Sequence, residues 1–306
     1  MNPLRGILLK LCSVTVFVVM ASLIKATAAE VPAGEAVFFR SFFAIPVIFV
    51  WLALQGQLKG GIRVVNPMGH VWRGLVGTMA MGLSFAGLGL LPFPEVTAIG
   101  YAAPILTVIF AAMFLGEQVR VFRLSAVALG LVGVLIVLSP RLTGFSDPAD
   151  SHATLGAMLV LMSATCGALA QVFVRQMVTV ERTSAIVFWF SFSSAALSLL
   201  TLPFGWVLPA PREAAFLVLA GLFGGVGQML LTSSYRYADA SVLAPFDYAS
   251  MLLAIGIGYF VFGEVPTLVM LAGAALVIAA GVLIIWREHR LGLERDRQRK
   301  AMTPQG

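Results

Sequence analysis

Residues 96–117 read VTAIGYAAPILTVIFAAMFLGE, and residues 243–264 read LAPFDYASMLLAIGIGYFVFGE. A slide of 147 positions lays one on the other, with Tyr101 on Tyr248, Ala102 on Ala249, Gly116 on Gly263 and Glu117 on Glu264. Each stretch is an apolar run of about 20 residues, the length of helix that crosses some 30 Å of hydrocarbon. Alternation at period two is absent, so both are helices rather than barrel strands. A slide of 150 relates the regions before them, placing Gly6 on Gly156, Lys25 on Arg175, Phe38 on Phe188, Ser41 on Ser191 and Phe42 on Phe192.

The rest of the chain has the same character. Of 306 residues, 59% are apolar and 11% charged, with a mean hydropathy of +0.96. Soluble domains run at about 45–50% apolar and about 25% charged, so a soluble enzyme, a secreted domain and a disordered chain are excluded. Ten apolar runs stand out, at 6–26, 36–54, 72–91, 95–114, 122–138, 154–174, 184–203, 214–234, 240–262 and 267–286. The start resembles a secretory signal, with Ala26-Thr27-Ala28 as a cleavage site. Lys25 beside that site, and the partner of this segment in the repeat, argue for a retained helix.

Ten spans with the N-terminus inside place sixteen of the twenty basic residues on the cytoplasmic side, Lys10 and Arg73 among them. Both termini are therefore expected there. Topology then explains the pI of about 9.7 without nucleic acid, and the bilayer itself is the expected partner. The predicted organisation is all-α: a first repeat over residues 4–140, a connecting loop over 141–153, a second repeat over 154–287 and a basic tail over 288–306. Five helices per repeat is an odd number, so the second copy enters the membrane from the opposite side. Inverted repeats of this kind suit alternating access around a central site.

Several motifs together resemble the drug/metabolite transporter superfamily, in its ten-helix branch with two EamA domains. They are Phe39-Arg40-Ser41-Phe42-Phe43-Ala44 in helix 2, Leu115-Gly116-Glu117 and Phe262-Gly263-Glu264 closing helices 4 and 9, and Pro104 within helix 4. The resemblance covers residues 4–287. It implies a secondary transporter of a small organic metabolite in the bacterial inner membrane, with no enzymatic step, and favours a structural or gating role for Arg40. Met251 stands where Pro104 would recur, and Pro245 lies six residues earlier. If prolines mark the bends of the two halves, the bends are not symmetric.

Ionisable groups inside a bilayer are costly and therefore informative. Asp247, flanked by Phe246 and Tyr248, is the first candidate for a substrate- or proton-binding carboxylate, its charge paired or its proton held by desolvation. A proton is accordingly the candidate coupling ion. Arg40 is a candidate for an anionic or carbonyl group of the substrate, or for pairing with Glu35 or Glu95. Tyr101 and Tyr248, related by the repeat, are candidates to hold a substrate from two sides or to bond to each other. Pro104 and Pro245 are candidate hinges, Glu117 and Glu264 caps or gate partners, and Lys25 and Glu95 outer-end residues.

No Walker loop, metal-ligand cluster or cofactor motif is present in the sequence. A lipid-modifying enzyme would need a polar catalytic cluster at one interface, and none is written. Aromatic-rich helices 2 and 7 with few buried charges point to a largely uncharged, planar solute. Among the substrates the resemblance implies, a riboflavin-like vitamin comes first, then neutral or aromatic amino acids. Amphipathic compounds for efflux, S-adenosylmethionine and nucleosides are the alternatives. Monomer and homodimer are both open.

Overall fold

A computed structural model describes residues 3–58, 60–115, 121–142, 148–178, 180–234, 237, 244–280, 282, 283 and 286. Among them every regular element is helical and no strand occurs. In chain order these are α1 (Pro3–Thr27), α2 (Ala33–Phe42), α3 (Ala44–Leu54), α4 (Pro67–Leu90), α5 (Phe93–Gly100), α6 (Ala102–Leu115), α7 (Val121–Leu142), α8 (Pro148–Met177), α9 (Thr183–Ser198) and α10 (Pro211–Ser234). Two follow, α11 (Ala249–Phe262) and α12 (Leu268–Ala280). Six segments are long and apolar enough to cross a membrane, among them Leu4–Thr27, Pro67–Leu90 and Pro211–Ser234. Large apolar side chains such as Leu200, Leu252, Phe260 and Leu268 cover the outside of the bundle, a surface that water would not tolerate at this extent and lipid does.

Local chemistry sets the ends. Pro67 stands at the first position of α4, and Asn66 caps it by accepting the Gly69 N–H at 3.1 Å. Pro148 starts α8, so Ser151–Ala153, expected in the connecting loop, are helical and α7 continues to Leu142. The loop core, 143–147, lies outside the described residues. So do Glu117 and the tail beyond Trp286.

Prolines divide the membrane segments. Pro104 has no N–H to donate to the Gly100 carbonyl, and the helix breaks there, α5 ending at Gly100 and α6 starting at Ala102. Pro46 separates α2 from α3 at Phe43 in the same way. Pro245 sits in a 3-10 turn, Ala244–Tyr248, that leads into α11. The two bends, expected to be asymmetric because the prolines are, fall on equivalent residues, Tyr101 and Tyr248. Proline perturbs the turn before it when it enters a helix and the turn it occupies when it starts one, so prolines at unlike positions break the chain at like ones.

Packing is dominated by α1 along α10 and α4 along α8, with α2 crossing α9, α8 flanking α5 and α6, and α11 flanking α1 and α5. Glycines permit the close crossings. A Cβ on Gly221 would meet the Phe39 carbonyl at 2.8 Å, and one on Gly225 the Ala44 Cα at 3.1 Å, so this GxxxG pair seats the bend between α2 and α3. Hydroxyls tie the long pairs together: Ser13 donates to the Gly227 carbonyl at 2.9 Å and Ser163 to the Ala80 carbonyl at 2.7 Å.

Candidate functional site

At one end of the bundle the chain is locked by Lys25 and Glu264. The Lys25 ammonium lies 2.9 Å from Glu264 Oε1 and donates to the carbonyls of Leu91 at 2.8 Å and Leu88 at 3.2 Å. The other Glu264 oxygen accepts the Phe93 N–H at 2.7 Å. Gly263 places the carboxylate there. It adopts the left-handed conformation (φ +67°), and the Glu264 N–H folds back to the Gly258 carbonyl at 2.8 Å, a helix C-cap that strongly favours glycine. One arrangement thus ends the helix at Gly263 and pairs Glu264 with Lys25. Lys25, expected at the outer interface, is largely buried in that arrangement.

The opposite end holds the N-terminus of α1 and the C-terminus of α10, where the Arg5 guanidinium lies 4.5 Å from the Tyr237 ring centroid. Between this end and the middle of the bundle lies a cavity of about 400 Å³, lined among others by Arg40, Arg73, Gln171, Gln228, Phe190 and Thr232. Arg40 is only 4% exposed and makes no pair with Glu35 or Glu95. Glu35 instead accepts the Val207 N–H at 3.1 Å, and Glu95 is buried in the first turn of α5. Arg73, read at the start of the run over 72–91, is enclosed by the bundle. It is 8% exposed in the second turn of α4, with its guanidinium carbon 3.8 Å from the Phe190 ring centroid. Asn66-Pro67 is a helix start, so α4 begins before that run and carries Arg73 deeper than the run alone suggests.

Asp247 is paired with Lys10. Lys10, in the first run of the sequence, is 3% exposed, and its ammonium lies 2.7 Å from Asp247 Oδ1. Beside the pair, the Tyr101 and Tyr248 rings meet edge to face with centroids 5.1 Å apart. The Ser250 hydroxyl donates to the Asp247 carbonyl at 2.6 Å, which leaves its oxygen to accept the Tyr101 hydroxyl at 2.7 Å. The Tyr101–Ser250 bond and the ring contact tie the two bends to each other. Pro104 is exposed on the outside of α6 rather than in the cavity wall.

The aromatic cluster divides. Phe38 stacks on Phe42 and Phe188 on Phe192, and Phe42, Phe49 and Phe192 are exposed on the bundle surface. Of the rings on α2, α3 and α9, Phe190 is the one that lines the cavity.

A second fastening sits near Arg73. Glu181, in the loop before α9, accepts the N–H groups of Val65 and Asn66, both at 2.7 Å, and lies 3.2 Å from His70 Nε2. Burial pushes this carboxyl up, but the two backbone donors and His70 outweigh it and hold it below the usual glutamate range. Its contribution to stability is therefore fully present above the unfolded value of about 4.3 and is lost as pH falls through the lower folded value. Glu181→Ala is expected to cost about 1–3 kcal/mol at neutral pH, because two part-buried N–H groups lose their charged acceptor. The difference in melting temperature from the parent should shrink in acid; a gap that stays constant to pH 3 would contradict this.

A helical bundle with an apolar exterior, an ion-paired closure at one end and a polar internal cavity is the build of a multi-pass membrane transporter. The profile of the EamA-like transporter family matches residues 4–139 and 154–286, and that of solute carrier family 35 matches residues 96–204. The chain belongs to the EamA-like transporter family, within the drug/metabolite transporter superfamily, and is a transporter of small metabolites rather than an enzyme. It is 30% identical to the pseudopaline exporter CntI of Pseudomonas aeruginosa over 91% of this chain and 95% of that one. It is 27% identical to the S-adenosylmethionine uptake transporter of Rickettsia bellii over 84% of each. It is 28% identical to the riboflavin transporter of Rhizobium johnstonii over 85% of this chain and 83% of that one. A crystal structure of a chain 21% identical superposes with a TM-score of 0.67 over 94% of this chain and 98% of that one, a likeness of fold.

Proposed function

We propose that the protein is a ten-span secondary transporter of the bacterial inner membrane that moves a small organic metabolite by alternating access, with both termini cytoplasmic. The observation that carries this reading is a polar cavity in the bundle with a Lys25–Glu264 lock across the end farther from Arg73. Under the positive-inside rule the locked end faces outward, so the conformation is inward-facing.

Two inverted five-helix repeats, 4–140 and 154–287, with 141–153 between them and a tail over 288–306, remain the organising idea. The packing supports it. The slide of 150 carries Ser13 to Ser163 and the slide of 147 carries Ala80 to Gly227, so the two hydroxyl–carbonyl bonds tying α1 to α10 and α8 to α4 are counterparts. The slide of 150 also carries Arg40 to Phe190, and these two residues face each other with the guanidinium carbon 5.6 Å from the ring centroid. By the same correspondence Arg175 and Glu117 are the counterparts of Lys25 and Glu264, and we assign them the closure of the inner end in the outward-facing state. In this scheme Asp247 and Lys10 form the coupling pair, with the proton as ion. Tyr101 and Tyr248 hold the two bends while Pro104 and Pro245 let them flex, and Glu95 packs the outer end.

A solute of the riboflavin class is supported by the 28% identical relative, and export or uptake of other metabolites by the remaining two. Counter-flow decides whether transport occurs. Proteoliposomes preloaded with one metabolite of a panel are expected to accumulate its labelled form above the level of empty liposomes. Accumulation with no panel member that raises the melting temperature of the purified protein would reject the transport reading.

A further inference from the structure

We propose that Arg40 and Arg73 together form an anion-binding pole of the cavity, and that the transported solute carries carboxylate groups. This inference rests on the transporter reading above and names its substrate class. Both guanidiniums are more than nine-tenths buried, both line the cavity, and the Nε and Nη1 atoms of each have no hydrogen-bond partner. Neither arginine has an ion-pair partner among the described residues. Each instead faces the ring of Phe190, at 5.6 Å for Arg40 and 3.8 Å for Arg73.

A ring quadrupole is a weaker partner than a carboxylate, and one ring shared by two cations leaves them repelling each other. Two buried like charges with unused donors are stable only if something anionic joins them. The chain builds seats for them in this position. The guanidinium of Arg73 folds over Gly77, where a Cβ would collide with its Nη1, and Arg40 Nε lies 2.9 Å from where a Cβ on Gly224 would stand. Among the described residues no acidic side chain lines the cavity, so none of them neutralises the pair and an organic cation would be repelled. The planar fork of guanidinium suits the two oxygens of a carboxylate. Gln171 and Gln228 add amide groups near it, while Met81, Phe85, Val96 and Val160 form an apolar wall on the side toward the lock. The complementary solute is a small organic acid with one or more carboxylates and an apolar body. The uncharged planar solute suggested by the sequence leaves both cations unanswered, and of the rings on α2, α3 and α9 Phe190 alone lines the cavity.

The test uses the full chain purified in detergent, with glutamate, glutarate and citrate as carboxylate probes. Riboflavin, tetraphenylphosphonium and inorganic phosphate serve as uncharged, cationic and inorganic-anion probes. At least one carboxylate is expected to raise the melting temperature by several degrees, and Arg40→Gln and Arg73→Gln should each abolish that shift. Ligand-free, the Gln variants should melt at or above the parent, because an unpaired buried charge is gone. A purely structural arginine would lower the melting temperature. If either Gln variant fails to fold, Arg40→Lys and Arg73→Lys replace it, and the carboxylate shift must shrink as the fork is lost. The proposal is overturned if no carboxylate shifts the parent, if phosphate matches the best carboxylate, if riboflavin or tetraphenylphosphonium shifts it more, or if the arginine variants keep the shift. Counter-flow of labelled probes separates the two readings. Exchange that ignores both arginine variants leaves transport standing and removes the anion pole. A carboxylate shift lost in the variants, with no exchange of any probe, keeps the pole and removes transport.

Discussion

Glu264→Ala is expected to destabilise the protein by roughly 3–5 kcal/mol, the cost of breaking a buried ion pair by removing one partner. The lysine left behind is 12% exposed at its side chain and would keep only the carbonyls of Leu88 and Leu91, while the Phe93 N–H loses its acceptor. Replacing both partners, Lys25→Met with Glu264→Leu, should recover most of that loss, since two apolar groups of similar size leave no charge unanswered. The same change should release the closed end. A cysteine at Ser84, which lines the cavity, on a background lacking Cys12 and Cys166, should become reactive to an impermeant maleimide applied from the outer side. An unchanged melting temperature together with unchanged labelling would remove the lock from the mechanism.

Asp247→Asn should lower transport driven by a pH gradient by roughly 5–150-fold, the range spanned by a coupling free energy of about 1–3 kcal/mol. Counter-flow, which needs no gradient, should persist. The asparagine preserves shape and hydrogen bonding but removes the charge that faces the Lys10 ammonium at 2.7 Å, so it separates coupling from packing. The Asp247 side chain is 41% exposed and Lys10 3%. The carboxylate is therefore the more open member of the pair. Equal gradient dependence in parent and variant proteoliposomes would contradict the assignment.

Much of the architecture was legible because the membrane imposes simple rules on a sequence. Apolar runs had to be helices, and the described helices lie along the runs read from the sequence. What the runs did not show was burial. Lys10 lies in the run over 6–26 and Arg73 in that over 72–91, yet nothing in either run tells that both side chains are enclosed, and Asn66-Pro67 was the sign that α4 starts before its run. The bends at Tyr101 and Tyr248 could be suspected from Pro104 and Pro245 but not aligned. A proline breaks a helix before itself or begins one, and only the neighbouring turns show which. The aromatic cluster misled for a related reason. In lipid, rings on the outside and rings on the inside are equally apolar, so composition does not tell Phe190 from Phe192.

The sequence by itself determined the class of the protein, because a scarcity of charge over 306 residues leaves the bilayer as the surrounding medium. It also carried the repeated Tyr and Gly-Glu positions and the short set of polar residues from which any site had to be drawn. The tertiary structure decided which of those residues meet. Lys25 finds Glu264, Lys10 finds Asp247, and Arg40 and Arg73 converge on Phe190 with no acidic side chain paired to either among the described residues. Helices that are apolar on every side carry little periodic signal for which face turns inward. The inward face is chosen by the fit of glycines and bends between neighbouring helices, and with it the choice of which charges are answered within the chain and which are left for a solute.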